Sequence, residues 1–230
     1  MLLRCLLPLA LLPLAAVASA ACTLTDPTLT LQSYRVDAQK ERIAMYWQDR
    51  HGKAWGSLRS LLAGIDGDGR VQMAMNGGIY DKAYAPLGLY IEDGKRLTPV
   101  NRSAGSGNFF IRPAAYSWWK TAGRKIVPLP AYKPSPAIRY AVQSGPMLIE
   151  NGAINWRLKP STSSRKLRNG VGIDKQAGWC LCSAIARPTF TILPAMRSQS
   201  LACGRCFIST APCRRCTAKA AACRGSIIRS

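Results

Sequence analysis

Over most of this chain apolar and polar residues alternate in short runs, the rhythm of half-buried β-strands. Leu29 to Val36, Ile43 to Trp47 and Val71 to Met75 read as strands of this kind. Leu87 to Glu92 and Arg96-Leu97 flank the turn Asp93-Gly94-Lys95 as a hairpin. Met147 to Glu150 and Ala153 to Asn155 flank Asn151-Gly152 in the same way. Phe109 to Ile111 and Val171 to Ile173 complete the candidate strands. Helical spacing is confined to Trp55, Leu58, Leu61 and Leu62. Asp66-Gly67-Asp68-Gly69 reads as a hairpin turn, because it lacks the later carboxylates that a calcium loop requires. Pro128 to Pro136 is a proline-rich loop, and the chain has no internal repeat and no long helical pattern. The expected fold is α+β: mainly antiparallel β-sheet with a few packed helices.

The two ends break this rhythm. Arg4 precedes an apolar run from Leu6 to Val17, and Ala18-Ser19-Ala20 follows as a small-x-small site. That is the three-part signature of a cleavable signal peptide, residues 1–20. The run is too short to span a bilayer, and Pro8 and Pro13 interrupt it. The implied location is periplasmic or secreted. Ser19-Ala20-Ala21-Cys22 also has the outline of a lipoprotein box with Ser19 where Leu is usual; acylated, Cys22 would anchor the protein to a membrane.

The other break falls near Ala177. Residues 1–176 hold 24 Lys and Arg against 11 Asp and Glu, a net of +13, whereas residues 177–230 hold 8 basic residues and no acid. A stretch of that length ordinarily carries roughly six or seven acids. Seven of the nine cysteines also lie there. The chain therefore divides into a signal at 1–20, a domain at 21–176 and a Cys/Arg-rich tail at 177–230.

Four segments place polar side chains beside glycines that let a backbone approach closely. They are Asn76-Gly77-Gly78-Ile79-Tyr80, Gly107-Asn108-Phe109-Phe110, Gln143-Ser144-Gly145-Pro146 and Arg168-Asn169-Gly170-Val171-Gly172. The first precedes Pro86-Leu87-Gly88-Leu89-Tyr90-Ile91-Glu92-Asp93-Gly94, and the third precedes Met147-Leu148-Ile149-Glu150-Asn151-Gly152. In this order, from about Leu29 to Lys175, they resemble the phosphodiester glycosidase family, most of all its compact, exported bacterial branch.

The resemblance implies hydrolysis of a sugar phosphodiester at its glycosidic bond. It also implies catalytic roles for Arg168, Asn76 and Asn169, and substrate-binding roles for Gly77, Asn108, Ser144 and Gly145. Arg168 can grip a phosphate diester through its planar fork, or it can be a surface cation in the cluster Arg165, Lys166, Arg168. Asn76 and Asn108 can bond sugar hydroxyls or phosphate oxygens, and the glycines can open backbone N–H groups to an anion. Glycosidic cleavage normally needs carboxyl groups, and the candidates near these motifs are Asp81 and Asp174, neither of which stands out. His51, the single histidine, reads as an exposed loop residue. No metal and no cofactor is expected. The partner is a sugar phosphodiester or an anionic glycan rather than a nucleic acid. Binding of anionic glycans at the cell envelope, without catalysis, is the alternative function, for which the net +13 would serve.

The tail admits three readings. Cys203-Gly-Arg-Cys206 and Cys213-Arg-Arg-Cys216 have the form of a four-thiolate zinc site, with a short spacing of six residues between the pairs. In an oxidising compartment the same cysteines would be expected as disulfides. In the third reading the tail is out of frame. Codons that could encode Gly204 to Ala218, read one base earlier, can give A-L-(F/L)-(Y/H)-(F/L/I)-D-G-T, a globular strand with an Asp-Gly turn. That string resembles the segment that ends the family's domain. Ser183 to Leu193, read likewise, can give another family-like segment in the proper order. On this reading the slip falls near Gln176-Ala177, the tail is irregular, and the sheet is incomplete at the C-terminus, with an inactive product.

Overall fold

The computed structural model describes residues 23–26, 29–37, 40–65, 71–120, 123–151, 153–158, 169–174, 179–184, 203–208 and 225–229. The signal segment at 1–20 and Cys22 lie outside them, as do the Asp66 to Gly69 turn, Arg168, Cys213 and Cys216. Among the described residues the protein is mainly antiparallel β with one short α-helix, so the expected α+β balance shifts toward β.

Strands β1 (Thr23–Asp26), β2 (Leu29–Val36), β3 (Arg42–Met45) and β4 (Val71–Asn76) come first, with α1 (Leu58–Gly64) before β4. Ser57 caps that helix by accepting the Ser60 N–H at 2.9 Å, which satisfies one of the donors a helix start leaves unbonded. The helix buries Leu61 and exposes Leu62. Next come β5 (Tyr90–Glu92), β6 (Lys95–Thr98), β7 (Ala115–Lys120), β8 (Gly123–Pro128), β9 (Tyr140–Ser144), β10 (Met147–Glu150), β11 (Ala153–Ile154) and β12 (Asn169–Asp174). The tail adds β13 (Trp179–Ala184), β14 (Cys203–Ile208) and β15 (Gly225–Arg229).

Three sheets result, in the orders β1-β2-β13-β12-β14-β10-β11, β3-β15-β4 and β6-β5-β9-β7-β8. They enclose a common core of Val36, Ile43, Met45, Met75, Tyr90, Ala115, Ile126, Val142, Met147 and Val171, which draws on all three. A second cluster of Leu89, Ile91, Ala114, Tyr116, Leu129, Ile138 and Ala141 covers the other face of the five-stranded sheet. Neighbours on one strand therefore divide between the clusters: Tyr90 from Ile91, Ala115 from Tyr116, Val142 from Ala141. A sheet buried on both faces needs continuous apolar runs, and this is why β7 and β9 show no polar alternation to reveal them.

Two expectations are corrected. Phe109 to Ile111 is not a strand: Asn108–Phe110 forms a 3-10 turn. Gly107 enters it at a φ of +90°, and the Phe110 N–H bonds back to the Gly107 carbonyl at 3.1 Å, which closes the turn before an extended run can start. The expected irregular tail also does not describe β13, β14 and β15, because each pairs on both sides inside a sheet. Ladder hydrogen bonds come from the backbone, and segments such as Trp179-Cys-Leu-Cys, Cys206-Phe-Ile and Ser226-Ile-Ile carry the residue types that strands accept. On β14 the Cα atoms of Cys203 and Cys206 are roughly 10 Å apart, three extended residues, and not folded together as in a C-x-x-C turn.

One carboxyl is built into the packing. Glu92 Oε2 accepts the Tyr90 hydroxyl at 2.9 Å and the Trp47 backbone N–H at 3.0 Å. Burial pushes its pKa above the ordinary 4.5, against the pull of those two bonds. A raised folded-state pKa means the ionised form costs stability, from the ordinary carboxylate range upward through the raised value, and nothing below it. Glu92→Gln keeps an acceptor for both donors and removes the charge. The variant should match the parent in thermal unfolding near pH 4 and become the more stable of the two as pH rises to neutrality. A gap that does not change with pH would show that Glu92 stays equally ionised in both states.

Candidate active site

The site is assembled from strand ends. β9 finishes at Ser144, which is fully buried, and Gly145-Pro146 leads directly into β10. A Cβ on Gly145 would lie 2.8 Å from the Phe109 carbonyl oxygen and 3.1 Å from that of Asn108. The turn thus presses its backbone against the 3-10 turn, and Asn108, Ser144 and Gly145 are brought together. β4 finishes at buried Asn76, and two residues later Gly78 lies directly against the Val142 side chain of β9. Asn76 and Gly77 therefore lead directly into the contact with β9 at Val142.

Asn169 arrives by register. Phe207 of β14 is the partner of Met147 on one side and of Val171 on the other, and Gly170 faces Ile208. β10 and β12 both run antiparallel to β14, so the residues that precede Met147 and those that precede Val171 lie at one end of the sheet. Gly145-Pro146 and Asn169 share that end, two strand spacings or about 10 Å apart. Asn169 pairs with Ser183 of β13 and is half-buried. Arg168, one residue earlier, lies outside the described residues.

The carboxylates named from sequence do not join this group. Asp81 is exposed and accepts the Ala85 N–H at 2.9 Å, a bond that shapes its own turn. Asp174 is five residues along β12 from Asn169, roughly 17 Å away at the opposite end. His51 is exposed, as expected, with its Nε2 accepting from Arg50 Nε at 3.2 Å. Among the described residues no three His, Cys, Asp or Glu side chains cluster as metal ligands.

Two residues the sequence reading passed over hold the group in place. Gln143, buried beside Ser144, accepts the Leu89 N–H at 3.1 Å and the Asn101 N–H at 2.9 Å on Oε1, and donates to the Asn101 carbonyl at 2.6 Å through Nε2. Asn101 Nδ2 donates in turn to the Leu87 carbonyl at 2.7 Å. Any Cβ on Gly88 would collide with the Gln143 amide and with the Phe109 ring, so a glycine inside an apolar strand run was the available signal. Asn155 does the same work behind β10, donating from Nδ2 to the carbonyls of Met147 at 2.8 Å and Arg112 at 3.2 Å.

Gln143→Ala would leave two N–H groups and one carbonyl without partners in the interior, at about 1–3 kcal/mol each. The expected loss is at least about 3 kcal/mol in denaturant unfolding. A loss below about 1 kcal/mol would mean that water reaches all three groups.

Relatives carry the same frame. The E. coli K12 protein YigE, itself uncharacterised, is 58% identical over 174 residues, which cover 75% of this chain and 68% of that protein. Among solved structures, the catalytic domain of zebrafish N-acetylglucosamine-1-phosphodiester alpha-N-acetylglucosaminidase, auto-inhibited by its pro-peptide, matches over 91% of this chain and 80% of its own. The TM-score is 0.58 at 13% identity, a likeness of fold. A hypothetical protein from Synechocystis matches over 90% of this chain and 60% of its own, with a TM-score of 0.51 at 12% identity. The phosphodiester glycosidase family model matches residues 69–185, half of the chain, from β4 through β13 and including Asn76, Asn108, Ser144 and Asn169. By that match the chain belongs to the phosphodiester glycosidase family.

Proposed function

We propose that this protein is exported and hydrolyses the glycosidic bond of a sugar phosphodiester. What supports the proposal is the family match, with Gly145 packed on Asn108 and Phe109 and with a register that sets Asn169 about 10 Å from Gly145. Amide side chains and closely approached backbone suit the polar oxygens of a sugar and a diester. Arg168, next in sequence to Asn169, supplies the fork for the phosphate. Residues 1–20 direct export, and an acylated Cys22 would hold the protein at a membrane.

The proposal names no general acid among the described residues. Asp81 and Asp174 stand away from the group. β14 ends at Ile208, at the same end of the sheet as Asn169 and Gly145. The one-base-earlier reading can place an aspartate across the codons for Ser209 and Thr210, which lie outside the described residues. On that reading the tail has slipped out of frame and the chain as written is inactive. Anionic-glycan recognition without catalysis is the second reading, for which the net charge of +13 over residues 1–176 would serve.

Turnover of a chromogenic sugar phosphodiester tests both. The frame-restored chain should hydrolyse it and the chain as written should bind it without turnover. Absence of hydrolysis by the restored chain sinks the enzymatic reading. Stop codons in the shifted frame of the gene sink the frame reading. In the restored chain Arg168→Ala should slow hydrolysis on the order of a hundredfold. Arg168→Lys should not recover it, because a point charge cannot reproduce a bidentate fork. Full activity in Arg168→Ala would leave Arg168 as a surface cation.

A further inference from the structure

Beside the Asn76-Gly77 turn lies a half-open cleft lined by Tyr46, Trp47, Gly77, Tyr80, Tyr84 and Tyr90, with Met45, Ile79 and Val142 beneath. We propose that this cleft seats a hexopyranose ring, and that Tyr84 at its rim supplies the stacking face. The proposal rests on the sugar-phosphodiester reading above and assigns the place of the sugar.

The lining has the chemistry of such a seat. Five aromatic rings meet there and none of the lining residues carries a charge, so the cleft suits the C–H face of a neutral ring and not a phosphate. Trp47 and Tyr90 meet edge to face at 6.1 Å, and both bond to Glu92 Oε2, which pins them in place. The indole N–H of Trp47, a residue of the lining, is buried and has no acceptor among the described residues. A buried donor calls for an acceptor, and a sugar hydroxyl can be one. The cleft's volume is about 30 Å³, room for a hydroxyl group and too small to swallow a whole ring. The ring therefore lies at the mouth with one hydroxyl directed inward.

Tyr84 is held at that mouth against its own backbone preference. Its φ is +67°, a region that side-chain-bearing residues avoid. The surrounding loop imposes it. Asp81 accepts the Tyr84 N–H through its carbonyl at 3.1 Å and the Ala85 N–H through Oδ1 at 2.9 Å, and donates its own N–H to the Ala85 carbonyl at 2.9 Å. Below, Tyr80 pairs with Pro86, and Leu87 N–H bonds to the Ile79 carbonyl at 3.1 Å. The result is a closed loop that presents a tyrosine 38% exposed, its ring 5.8 Å from that of Tyr80. A glycine would meet the backbone demand without strain, so a bulky ring kept there by surrounding bonds marks a ligand clamp.

The test is calorimetric titration of the mature full chain with the methyl α-glycosides of N-acetylglucosamine, glucose and galactose. At least one should bind saturably. Tyr84→Gly should weaken that binding about tenfold or more while thermal unfolding stays the same or rises, since glycine accepts the positive φ. Tyr84→Asn, which also tolerates that backbone, serves if the glycine variant does not fold. Tyr84→Phe should bind within about twofold of the parent, and Trp47→Phe should weaken binding severalfold through the lost N–H. The proposal is overturned if none of the three glycosides binds, or if Tyr84→Gly and Trp47→Phe bind like the parent. Sugar binding without phosphodiester turnover keeps the cleft and removes the hydrolase reading. Turnover with KM unchanged in Tyr84→Gly keeps the hydrolase and removes the cleft.

Discussion

The arrangement of the site depends on one buried amide. Gln143 sits on a strand whose neighbours Val142 and Ala141 are committed to opposite apolar clusters, and its side chain must find partners in the interior. It finds them on Leu89 and on both backbone groups of Asn101, and so ties β9 to the start of β5 and to the loop beyond β6. The three bonds leave the amide no freedom to turn, and with it the strand end that carries Ser144 is fixed. Gly88 has to be a glycine for the amide to lie where it does, and Phe109 closes the same space from the far side. Three of the glycine motifs that look separate in sequence meet in space around this residue, where Gly78 lies against Val142 and Gly145 against the Asn108 and Phe109 carbonyls.

Around that point the strand ends bury Asn76 and Ser144 within closely packed backbone, and the aromatic cleft lies beside them. The turn after Asn76 touches both, since Gly77 lines the cleft and Gly78 lies against Val142 of β9. Glu92 stands behind the cleft and contributes by bracing Trp47 and Tyr90, a role in which a raised pKa is a by-product of burial.

Much of the frame was legible where local pattern decides it. β2, β3, β4, β10 and β12 follow runs that alternate or carry β-prone residues, and both Gly-turn hairpins fall where Asp93-Gly94 and Asn151-Gly152 put them. α1 follows from Leu58 and Leu61 with a serine cap. β7 and β9 were missed because burial on both faces erases alternation. The candidate site was legible as residue types, and its geometry was not. The contact between Gly145 and Asn108, the Glu92 bond to Trp47 across 45 residues, and the place of Asn169 opposite Gly145 all arise from pairings distant in sequence. The strands beyond Ala177 were missed for a different reason: composition argued against them, while ladder formation asks little of composition.

The strand order has a consequence for how the molecule comes to exist at all. β2 finds its sheet partner in β13, and β3 and β4 are joined only through β15, at the far end of the chain. The three-stranded sheet therefore cannot close until the β15 segment has been synthesised, and the entropy of that long loop must be met before its ladders compensate it. The β1-β2 hairpin and the five-stranded sheet need nothing from the tail. A ribosome-bound or partly exported chain would close these first and leave β3 and β4 waiting, so a lesion near β15 would act first on strands close to the beginning.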